Sequence, residues 1–143
     1  MKTQVILELP DVKRALDAAE REALANQWSV TIAVCDAGGV PLGMLRMDGA
    51  PVMSAMVAPE KARTSVLTGK SSGVFEQMVN QGRYAALSMP VVPLEGGEPI
   101  LIDNQVVGAV GVSGVKAGED AQVARAGVAA ILATCENCEP CCC

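Results

Sequence analysis

Five of the last nine residues, CENCEPCCC, are cysteine, and the rest of the chain holds only one more, Cys35. Cys135, Cys138 and Cys141 are spaced CxxCxxC, with Cys142 and Cys143 directly behind them. Thiolates at that density suit a soft cation, and four of them can surround zinc or hold Cu(I) or an iron–sulfur cluster. Zinc sites usually draw two close pairs from separated segments. A run this compact therefore reads as a flexible chelate, as redox or cross-linking thiols, or as an unstructured end. Cys35 reads as a small buried hydrophobe.

The chain has no histidine. That excludes Ser-His-Asp and Cys-His catalysis and leaves a shifted carboxylate, a lysine or a cysteine as the base near neutral pH. Four charged residues then carry the chemistry. Arg46 and Asp48 stand two apart, so in a strand they share a face with Leu42 and Met44. A charge on an apolar face must pair or reach solvent. Arg46 is thus either a carboxylate binder with the right fork geometry or one half of a surface or subunit-bridging pair. Lys61 and Thr64, three apart in KART, share a helix face. Lys61 binds an anion, acts as a base if burial shifts its pKa, or is a solvated surface lysine. Asp36 ends a strand beside Gly38-Gly39, where it either anchors a ligand or caps the turn. Glu98 follows Gly96-Gly97 and is either a general acid or base, or a turn carboxylate. Gly108, Gly111 and Gly114 recur every three residues. Glycines in a strand mark close approach, here of a flat ligand or of a packed helix.

The elements that must position these residues are legible from periodicity. Residues 11–27 predict a helix with Val12, Ala15, Leu16, Ala19 and Ala23 on one face and Pro10 at its start. Ser29–Asp36 and Pro41–Asp48 predict a hairpin of two strands around Asp36-Ala37-Gly38-Gly39. Residues 52–68 read as helical, with Pro59 near a start or kink, and 72–80 as a second helix closed by Gly82. Strand patterns return at Val91–Leu94, Pro99–Asp103 and Gln105–Ser113, and a last helix runs from Glu119 to Ala133. This order predicts an α+β domain of two layers, an antiparallel sheet of about five strands with packed helices. The domain spans residues 1–134, and 135–143 form a cysteine-rich tail.

Composition narrows the partners. Half the 143 residues are hydrophobic, yet Trp28, Phe75 and Tyr84 are the only aromatics, so the core is aliphatic. A net charge of −5 disfavours a nucleic-acid backbone. No apolar run is long enough to span a membrane, and the N-terminal stretch lacks the marks of a signal peptide. The expected setting is cytoplasmic, with reduced thiols.

Four separated segments carry a family resemblance: VTIAVCDAGGVPLGMLRMDGAP (30–51), KARTSVLTGK (61–70), LEGGEPILIDNQVVGAVGVSG (94–114) and EDAQVARAG (119–127). In this order, covering about 9–133, they resemble the GlcG/HbpS-like family, also called haem-degrading or PduO C-terminal-like. The resemblance implies a profilin-like or PAS-like domain, homo-oligomers from dimers to rings, and haem or a corrinoid-related pathway as setting. By position it implies that Lys61 and Thr64 line a pocket. Arg46 and Lys61 would together meet an anionic ligand beside Gly111, and Met44, Met47, Met53 and Met56 either contact it or serve as adaptable core or interface filler. Lack of histidine, Pro59 inside a helical stretch and the cysteine tail depart from the family pattern. The readings that follow are a small-molecule-binding protein for haem or a related anionic tetrapyrrole, a small enzyme of organic-acid or aromatic catabolism using Lys61 with Asp36 and Glu98, and a soft-metal-handling protein acting through its tail.

Overall fold

The computed structural model describes residues 1–136. Over that range the chain runs α1 (Leu9–Ala25), β1 (Thr31–Asp36), β2 (Pro41–Arg46), α2 (Ser54–Thr68), α3 (Gly73–Asn80), a 3-10 turn at Tyr84–Ser88, β3 (Gly97–Ile102), β4 (Gln105–Ser113) and α4 (Ala117–Glu136). The strands form one antiparallel sheet in the order β2-β1-β4-β3. No described helix is long and apolar enough to cross a membrane.

Local chemistry explains the boundaries. Glu8 and Asp11 cap the start of α1 reciprocally, each side chain accepting the other's backbone N–H. Pro10 occupies the first turn, where its missing N–H has no helical partner anyway. The helix closes when Trp28 N–H reaches the Ala23 carbonyl at 2.9 Å and Gln27 N–H the Leu24 carbonyl at 3.1 Å. Gln27 takes φ 59° in that closure, the position where glycine is usual. The β3–β4 hairpin turns on Asp103 and Asn104, with φ 51° and 62°, the two positive values a two-residue turn needs to match strand twist. Pro59 lies inside α2. It removes the N–H that would reach the carbonyl of residue 55, and the helix continues through it to Gly69.

The α+β class and antiparallel sheet are as the sequence predicts, but two details differ. The sheet has four strands rather than about five. Val91–Leu94 does not pair as a strand, because Val92 N–H bonds the Thr64 hydroxyl at 2.9 Å instead. Helices also cover both faces, so the domain has three layers rather than two. Ile32, Val34, Val110 and Val112 pack with Val12, Ala19, Val123 and Ile131 of α1 and α4. The alternate residues Cys35 and Ala109 pack with Ala62 and Val66 of α2. The last helix continues through Cys135 to Glu136, past the position-134 boundary.

Helix α2 lies very close to the sheet, and glycine makes that possible. A Cβ on Gly111 would stand 2.1 Å from the Ala58 carbonyl oxygen, and one on Gly97 would stand 2.1 Å from that of Lys61. The glycine spacing in β4 therefore serves helix packing at position 111, and Gly111 has no open side toward a ligand.

Candidate functional site

The charged candidates separate into three used inside the fold and one left free. Lys61 projects from α2 and is 4% exposed. Its ammonium donates to Asp120 Oδ2 at 2.8 Å and to the Val112 carbonyl at 3.0 Å. Asp120 stands in the first turn of α4, and its other oxygen accepts Val115 N–H at 3.1 Å. This ion pair ties α2, β4 and α4 together. Burial pushes the Asp120 carboxyl above its ordinary range, against the lowering pull of Lys61. Lys61 is therefore engaged as a structural cation. Its partner lies 59 residues away, out of reach of any motif. The trace Asp120 leaves in the sequence is an acidic residue at a helix start.

Asp36 is a turn cap. Its Oδ1 accepts Gly38 N–H at 2.8 Å and Val40 N–H at 3.0 Å. Asp36 pairs with Gly108, whereas Lys61 reaches Val112, which pairs with Ile32. Four residues of strand, roughly 13 Å, separate the two positions. Glu98 accepts from the Ser71 hydroxyl at 3.0 Å and from Arg125 at 3.4 Å. Its pKa is raised, chiefly by burial. Gly97 packs on Lys61 and Ser65 of α2, so Glu98 alternates to the opposite face, where α4 supplies Arg125. The three proposed catalytic residues do not converge. Thr64 is also committed: its hydroxyl donates to the Glu60 carbonyl at 2.8 Å and accepts Val92 N–H at 2.9 Å, anchoring the 91–94 segment to α2.

Arg46 remains available. It ends the edge strand β2, is exposed, and forms no ion pair among the described residues. Its one side-chain hydrogen bond among the described residues donates from Nη2 to the Ala50 carbonyl at 3.2 Å. Asp48, the alternative partner, does not pair with it. Leu42 and Met44 alternate with the inward Gly43 and Leu45 and are 39% and 50% exposed. Thr31 pairs with Arg46 in register and bonds Ser54 at 2.7 Å, so the start of α2 lies beside this end of the strand. Met53 and Met56 there are 69% and 74% exposed. The result is an apolar, thioether-rich strip with a guanidinium at one end. Its cation has no ion pair among the described residues, while Lys61 does not reach it.

The metal-ligating candidates are not placed at a site. Cys135 is exposed on α4, and Cys138, Cys141, Cys142 and Cys143 lie outside the described residues. Among the described residues no group of three or more His, Cys, Asp or Glu side chains could hold a metal ion. Cys35 is buried, and burial pushes its thiol up to about 12, which makes it inert as a nucleophile.

Comparison with known proteins gives a consistent result. The family model described as haem degrading protein HbpS-like matches residues 7–129. Protein GlcG of Escherichia coli strain K12 is 46% identical over 114 residues, covering 79% of this chain and 85% of the relative. The crystal structure of Klebsiella pneumoniae protein ORFY superposes with a TM-score of 0.85 at 28% identity, over 92% of this chain and 95% of that one. A crystal structure of the PduOC–haem complex superposes with a TM-score of 0.79 at 28% identity, over 88% and 95% of the two chains.

Proposed function

This chain belongs to the HbpS-like family, and from that premise we propose that it is a small-molecule-binding protein whose ligand is haem or a related anionic tetrapyrrole. The observation that carries the reading is the exposed strip on β2, with Leu42 and Met44 beside an unpaired Arg46. A flat macrocycle buries its ring on apolar side chains and presents carboxylates at one edge, which a guanidinium without a carboxylate partner matches. Bound haem would supply iron chemistry, and this chain has no histidine to hold the iron. Its residues would hold the ring by its face and edge, with methionine sulfur the soft donor available on the strip. The family setting and the PduOC–haem complex favour haem over other flat anions.

The enzyme reading through Lys61, Asp36 and Glu98 has no arrangement to support it, since each is engaged elsewhere. Exposed apolar side chains outside the strip, Leu67, Tyr84 and Leu87 among them, favour a homo-oligomer as the working unit, because such surface marks interaction sites. The test is a haem titration of the full-length protein. A saturable Soret shift is expected, and Met44→Glu, which sets a carboxylate on the strip without entering the core, should abolish it. Absence of a shift in the native protein would sink the proposal.

A further inference from the structure

On the other side of β2, between its end and the C-terminal turn of α1, lies a cleft of about 440 Å³. Its apolar wall is made by Leu24, Trp28 and Leu45, and its polar rim carries the carboxylates of Glu20 and Asp48. Neither carboxylate has a hydrogen bond or ion pair among the described residues. Arg46 also lines the cleft, but its Nη2 is turned to the Ala50 carbonyl. A cleft that combines an indole and an aliphatic wall with two unpaired carboxylates suits an organic cation. The carboxylates accept its N–H groups, and the apolar wall takes the carbon body.

Gln27 lines the same cleft at φ 59°. Glycine takes that angle without steric cost, and the Gln27 amide offers both a donor and an acceptor.

We infer that this cleft is a binding site for a small organic ammonium ion with an apolar or aromatic body, adjoining the strip proposed for haem at Arg46, which the two share. Trp28 is the only tryptophan, so its fluorescence reports the cleft without a label. Benzylamine, a cation at neutral pH, is expected to change Trp28 emission saturably in the full-length protein. Benzoate and benzyl alcohol, similar in size but anionic and neutral, should not. Glu20→Gln and Asp48→Asn should each weaken benzylamine binding about threefold, and added salt should weaken it further. Gln27→Gly should raise the Tm and weaken binding together, a combination that damage to the fold cannot produce. The inference is overturned if benzylamine gives no saturable change, if benzoate binds as tightly, or if all three variants bind benzylamine like the native protein.

Discussion

At the scale of single residues, what separates Lys61 from Arg46 is the company each keeps. Lys61 is buried against Asp120, so its removal strands a carboxylate in the interior. Lys61→Ala should destabilise by about 3–5 kcal/mol, read from the urea midpoint, because breaking a buried pair leaves an uncompensated charge. Lys61→Met with Asp120→Asn should recover most of that loss, since the amide keeps an acceptor for Val115 N–H. Glu98 gives a pH signature. Burial raises its folded pKa above the ordinary 4.5, so its contribution to stability is fully present below that value and is lost as pH rises through the higher folded pKa. Glu98→Gln should therefore match the native Tm near pH 4 and exceed it at pH 7. Equal Tm differences at both pH values would contradict the assignment. Asp36 was readable as a turn cap from the two glycines that follow it. The role of Lys61 was not, because local spacing carries no sign of a partner on a distant helix.

At the scale of elements, period and punctuation placed most of the fold. The hairpin around Asp36–Gly39, the helix stop at Gly69 and the β3–β4 turn at Asp103-Asn104 all follow from residues that favour those backbone angles. Two errors have physical causes. Val91–Leu94 has strand-like composition, but Thr64 captures its backbone. The three-layer arrangement had a signal in β1, whose residues 31–35 read TIAVC, a nearly unbroken apolar run, and are all buried, as expected of a strand covered on both faces. The approach of α2 to β4 is the least forgiving contact in the fold. Gly111→Ala forces a Cβ against the α2 backbone and should cost about 1–3 kcal/mol in urea unfolding. If Gly111 instead faced a ligand, the substitution would leave stability unchanged and lower haem affinity alone.

At the scale of the whole molecule, the buried chemistry holds layers together and the free chemistry sits along one edge strand. Lys61–Asp120 and Glu98–Arg125 each tie a helix to the sheet or to another helix. Arg46, Met44 and Leu42 stay outside that network, on the strand with no sheet neighbour beyond it. Family membership was legible from separated motifs in order, while the choice of Arg46 for the proposed binding surface needed the layering that decides which cation is spent. The most direct test compares haem affinity, from Soret titration, in the native protein and Arg46→Ala. The account predicts weakening of about threefold to tenfold, the range for losing one charge-assisted contact at an exposed site, with the Tm unchanged. Equal affinity for the two proteins would contradict it.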